Sequence, residues 1–95
     1  MEQSNSNTTT VNTPPETKPL KMWKVLVHND DVNTYIHVIK CLMQILRMDP
    51  HMALVKTTEV DKNGFSIVEV THKERAELLK DQLVSLSLTC TIEPD

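Results

Sequence analysis

An α+β domain, with three helices laid against a three-stranded antiparallel sheet, is the fold class that this 95-residue chain predicts. Three observations carry that reading. Apolar residues run or alternate in three short stretches, around Val25–Val27, Phe65–Val70 and Leu88–Ile92, as strands require. Between them lie three stretches whose apolar residues recur at helical spacing. Turn and capping residues separate the stretches, so the order reads β-α-α-β-α-β, with the helices expected on one face of the sheet.

The first strand is Trp23-Lys-Val-Leu-Val-His, and it ends abruptly in Asn29-Asp30-Asp31. Those three side chains compete with the backbone for hydrogen bonds and suit neither strand nor helix. Asn33 then fits an N-cap. Several acceptors are thereby fixed on a tight strand-to-helix corner, a geometry suited to gripping a cation or an amino group. The plainer alternative is a corner whose side chains only bond nearby backbone.

From Thr34 to Met48 the residues Tyr35, Val38, Ile39, Leu42, Met43 and Leu46 form one stripe, with Lys40, Gln44 and Arg47 opposite. Asp49-Pro50 ends that helix and begins the next, because proline disfavours helix in the residue before it and fits the first helical turn. The second helix runs from Pro50 to about Val60 and presents Ala53, Leu54, Thr57 and Val60 inward. Asp61-Lys-Asn-Gly64 is expected as a turn, its single glycine supplying positive φ. Thr71-His-Lys-Glu74 has the form of a capping box for a third helix, which buries Ala76, Leu79 and Leu83. In the last strand Leu88, Cys90 and Ile92 alternate with Thr89, Thr91 and Glu93, so it is half buried.

Residues 1–21 are a different material: Gln, Ser, Asn, Thr, Pro and Glu dominate, and such a segment is expected to stay disordered. Residues 22–95 form the single domain. The net charge is −3 without a Lys/Arg cluster, which argues against nucleic acid and anionic membranes as partners. There is no run long enough to span a membrane, and the chain reads as cytosolic and monomeric. Cys41 and Cys90 then read as reduced core thiols. His28, His37, His51 and His72 read as scattered surface histidines without metal-ligand spacing. No nucleophile–base pair or phosphate loop points to an enzyme or a cofactor. A carboxylate cluster of Asp30, Asp31 and Asp61 holding Mg²⁺ or Ca²⁺ is the enzyme-like or metal-protein alternative.

Trp-Lys-Val-Leu-Val-His-Asn-Asp-Asp at 23–31, the β-α-α-β-α-β order and the closing Thr89-Cys-Thr-Ile-Glu-Pro94 together resemble the ClpS family, adaptors of the Clp protease. The resemblance covers about Met22 to Pro94. It implies a non-enzymatic adaptor that recognises proteins by a bulky hydrophobic N-terminal residue (an N-degron) and delivers them to a Clp-type AAA+ unfoldase, ClpA- or ClpC-like. It assigns Asn29 and Asp30 to the substrate's amino group, an ammonium with three N–H donors. A histidine usually completes that set. Here Asp61 stands in its place, and it would crowd Asp30 and raise the pKa of one of the pair. The side-chain pocket maps onto Asn33, Tyr35, Val38, Thr57, Val60 and Leu88. Tyr35 and Thr57 stand where methionine is common, which implies altered, narrowed specificity. Leu88→Ala is then expected to weaken peptide binding more than folding. Glu74 falls at an acidic unfoldase contact, Leu79 where a basic residue is usual, and the polar N-terminal segment matches the arm that the unfoldase engages. A divergent adaptor that binds the unfoldase or another partner without reading N-termini is the alternative within the same family.

Overall fold

The computed structural model describes residues 21–95. The chain runs β1 (Met22–His28), α1 (Tyr35–Leu46), α2 (Pro50–Asn63), β2 (Phe65–His72), α3 (Lys73–Ser85) and β3 (Thr89–Pro94). The expected disordered arm falls, but for Lys21, outside the described residues. β1 is the central strand of an antiparallel sheet ordered β2-β1-β3. Alternation along β1 explains its place: Val25 and Val27 enter the core beneath the helices, and Trp23 packs against that core. Leu26 faces the other way, paired in the ladder with Ile67 on one side and Thr91 on the other.

The core is aliphatic, as the shortage of aromatics requires. Leu42, Leu79 and Leu83 are its largest fully buried side chains beside Val25 and Val27. Both cysteines lie in it as free thiols. Burial pushes the Cys90 thiol up to about 11, which keeps it protonated at neutral pH. Leu79 fills the inner face of α3, as its spacing predicts, so it is not available as a surface contact.

Four local expectations are corrected. The N-cap of α1 is Thr34, whose hydroxyl accepts from the His37 N–H at 3.1 Å, and Asn33 is engaged elsewhere. Helix α2 continues through Asp61 to Asn63, and Gly64 is its C-cap rather than part of a four-residue turn. Leu54 is exposed, leaving Ala53, Thr57 and Val60 as the buried face of α2. The capping box of α3 does not form: β2 extends through Thr71, which is buried opposite Trp23, and His72 caps without a side-chain bond. The cap of α2 is as expected, with Asp49 accepting from the Met52 N–H at 2.8 Å and Pro50 in the first turn.

Gly64 has φ +90°, and its N–H donates to Val60 O at 3.0 Å. Its carbonyl accepts from Asn29 N at 2.8 Å, tying the end of α2 to the end of β1. A Cβ at Gly64 would meet no atom within 4 Å, so only backbone strain opposes a side chain there. Gly64→Ala is therefore expected to destabilise the domain by about 1–2 kcal/mol, read as a lower urea midpoint at unchanged slope.

Candidate functional site

The corner after β1 is built by one carboxylate. Asp30 Oδ1 accepts from the backbone N–H groups of Val32 and Asn33, both at 2.9 Å. Asp30 Oδ2 accepts from Asn33 Nδ2 at 2.8 Å and from Thr89 Oγ1 at 3.1 Å. A carboxylate offers about four lone-pair positions, and these donors fill them. The backbone N–H of Asn33, foremost among these donors, holds the Asp30 carboxyl below the usual carboxylate range. The expected rise from crowding by Asp61 is therefore corrected for Asp30: its hydrogen bonds favour the ionised form. Any further donor at Asp30 would share its oxygens with these four. Asp30 supplies charge and holds the corner.

Asn33 extends the network. Its amide nitrogen donates to Asp30 and also to the carbonyl of Ser87 at 2.9 Å. Ser87 is in the left-handed region (φ 76°), where the chain leaves α3. One turn along α1, the His37 ring bonds the carbonyl of Leu86 through Nε2 at 2.8 Å. His37 is thus half-buried structure rather than a surface histidine, and His28 is half-buried too, bonding Thr91 Oγ1 at 2.7 Å. Together Asn33 and His37 clamp the α3–β3 loop against α1. Leu88 is the last residue of that loop, buried in the same cluster as Val38.

A cavity of about 230 Å³ opens at this corner. Asn29, Asp30 and Asp61 line it together with Asn33 and Tyr35, and Val38, Thr57 and Val60 complete the wall. Asp31 and Thr34 line it as well, residues given little or no weight from sequence. Leu88 lines a smaller recess of about 20 Å³, which shares Asn33, Val38 and Val60 with the larger cavity. Thus all three residues expected at an amino group and all six expected at a side chain meet in one place. Glu74 lies apart, exposed in the first turn of α3 beside Trp23 and Lys73.

The lining includes three carboxylates (Asp30, Asp31 and Asp61) and no lysine or arginine, so the cavity attracts cations. Asn29 contributes its backbone N–H to Gly64, and no hydrogen bond of its side chain appears among the described residues. Asp61 likewise makes no hydrogen bond or ion pair there, although a carboxylate in the last turn opposes the helix dipole. Among the described residues no three His, Cys, Asp or Glu side chains gather closely enough to hold a metal ion.

Sequence reasoning missed Thr89 and Ser87, which complete the corner from the far end of the chain. No local signal marks them, because each acts through a partner more than fifty residues away.

Comparison with known proteins fits this arrangement. No helix of the described residues is long and apolar enough to cross a membrane. The profile of the ATP-dependent Clp protease adaptor protein ClpS matches residues 18–91. The ATP-dependent Clp protease adapter protein ClpS of Gloeobacter violaceus is 38% identical over 79 residues, covering 82% of this chain and 85% of that protein. Its counterpart in Thermosynechococcus vestitus is 41% identical over 75 residues, covering 77% and 80%. Among solved structures, Agrobacterium tumefaciens ClpS2 bound to L-phenylalaninamide superposes with a TM-score of 0.79 at 24% identity, covering 81% of this chain and 100% of that one. The chain belongs to the ClpS family of Clp protease adaptors, which are adaptors and not enzymes.

Proposed function

We propose that this adaptor reads the N-terminus of its substrates, taking a bulky hydrophobic first residue into the cavity and its free amino group at the corner. The observation that carries the reading is the cavity's division. Asn29 and Asp61 present acceptors without partners among the described residues, Asp30 adds a fixed negative charge, and Val38, Val60 and Leu88 supply an apolar wall. An α-ammonium needs both charge and several acceptors, which that rim offers. The similar A. tumefaciens protein is bound to L-phenylalaninamide, a small molecule with both a free amine and a bulky side chain, which supports the reading. The captured protein would be handed to a ClpA- or ClpC-like AAA+ unfoldase, with Glu74 on the contacting surface and the polar N-terminal arm engaged by the unfoldase.

Fluorescence anisotropy tests it with peptides beginning with Phe, Leu, Trp or Tyr, against one beginning with Ala and one N-acetylated. Binding at micromolar or lower concentration is expected for the first group only. A free α-amino group titrates near pH 7.7–8.0, so affinity should fall about tenfold from pH 7 to pH 9 as the ammonium is lost. Equal binding of the acetylated peptide would leave an adaptor that engages its unfoldase without reading N-termini.

A further inference from the structure

The charges around the cavity outnumber the one that an N-terminus brings to it. Asp30, Asp31 and Asp61 line it, and no lysine or arginine does. The ion pairs among the described residues, Lys24–Glu93, Lys56–Glu59 and Arg75–Glu69, include none of the three. Asp30 stays ionised, since its hydrogen bonds hold it below the usual carboxylate range. Asp31 and Asp61 are exposed, whereas Val38, Thr57 and Val60 are buried, so the charge sits at the mouth of the cavity and the apolar surface at its floor. Uncharged donors of the lining, such as the Asn29 amide and the Tyr35 hydroxyl, can bond a carboxylate but do not cancel its charge. An α-ammonium set against Asn29, Asp30 and Asp61 carries a single positive charge, already exceeded by that pair of carboxylates. Asp31 is then a surplus.

From this we infer that the site also reads the second residue of its substrate, where Asp31 favours lysine or arginine and disfavours aspartate or glutamate. The inference rests on the N-terminus reading above and extends it by one residue. With the first side chain in the cavity, the second Cα lies about 3.8 Å further along the peptide, at the mouth. A lysine or arginine stem on it is long enough to lie along the rim and bring its charge to an exposed carboxylate. A cation there meets the surplus negative charge, and an acidic side chain meets carboxylates already in excess. These groups stand in water, so each pairing is worth only a few-fold and salt weakens it.

Peptides that begin Phe-Lys, Phe-Gln or Phe-Glu and are otherwise identical test this by anisotropy at low and high salt. At low salt Phe-Lys is expected to bind about threefold more tightly than Phe-Gln, and Phe-Glu about threefold more weakly. Most of that roughly tenfold span should vanish at about 0.5 M NaCl. Asp31→Asn should narrow the low-salt span to about threefold at an unchanged melting temperature. Asp81→Asn removes the same charge from α3, outside the cavity, and should leave the span whole. Equal affinities of the three peptides for the wild type, each still above its acetylated form, would overturn the inference while the reading of N-termini stands. Failure of every free-amine peptide to bind better than its acetylated form would instead overturn the reading itself. A span that Asp31→Asn leaves whole, or that Asp81→Asn narrows as much, would overturn the part assigned to Asp31.

Discussion

Asp30→Ala is expected to cost the domain about 3 kcal/mol and to abolish peptide binding, although Asp30 is not a free ligand in the cavity. The cost comes from four hydrogen bonds to one charged acceptor, discounted because the corner is partly open to water. A domain of this size is stable by roughly 4–11 kcal/mol, so the loss is a large share of the whole. Binding is lost for a structural reason: without Asp30, the Asn33 amide keeps only Ser87 O as a partner, and one of the two ties that hold the α3–β3 loop carrying Leu88 is weakened. Asp30→Asn should be milder. It keeps an oxygen for the N–H groups of Val32 and Asn33 and loses the acceptor that serves Asn33 Nδ2 and Thr89 Oγ1. Urea denaturation of the three proteins should rank them wild type, Asn, Ala.

The same carboxylate sets an acid limit. Its folded pKa is depressed, so its contribution is fully present above the unfolded value of about 3.9 and is lost as pH falls through the folded value. The gap between wild type and Asp30→Asn should be constant from pH 8 to pH 5 and close below about pH 4. A gap that persisted at pH 2 would show that shape, and not charge, makes the corner.

What the sequence revealed and what it hid divide along one physical line. Periodicity depends on local spacing, so the six elements, the inner residues Ala76, Leu79 and Leu83, and the alternation of Leu88, Cys90 and Ile92 were legible. The gathering of Asn29, Asp30, Val38, Thr57 and Asp61 around one cavity came through resemblance, since spacing alone does not bring α2 to the end of β1. The hydrogen bonds were not legible in either way. Asn33 looked like an N-cap because its side chain can accept, yet here its amide is used as a donor to groups that only the folded chain brings near. Thr71-His-Lys-Glu74 had the composition of a capping box, but the pairing of Thr71 with Trp23 takes the threonine into the sheet. Tertiary bonding overrode local propensity at both places.

Leu88→Ala is expected to lower both folding and binding, which alters the balance inferred from sequence alone. Leu88 is 4% exposed and belongs to the same buried cluster as Val38 and Val60. Truncation at such a site removes transfer energy and leaves a void, at a cost of about 2–4 kcal/mol to folding. The void is not closed off, however, because Leu88 also lines the recess that continues the cavity. The folded fraction should therefore bind Phe- or Leu-initiated peptides about tenfold more weakly, having lost part of the wall that the side chain buries against. Leu42→Ala supplies the comparison: Leu42 is fully buried but does not line the cavity, so it should lose as much stability and leave the affinity of the folded protein unchanged. Anisotropy titrations at 10 °C, with the folded fraction fixed from urea curves, separate the two effects. If Leu42→Ala and Leu88→Ala weaken binding equally, the apolar wall is felt only through global stability, and Leu88 is core alone. If only Leu88→Ala does, the residue that closes the core also forms the floor of the binding site. Loss of a core side chain and loss of a ligand contact would then be the same event in this small fold.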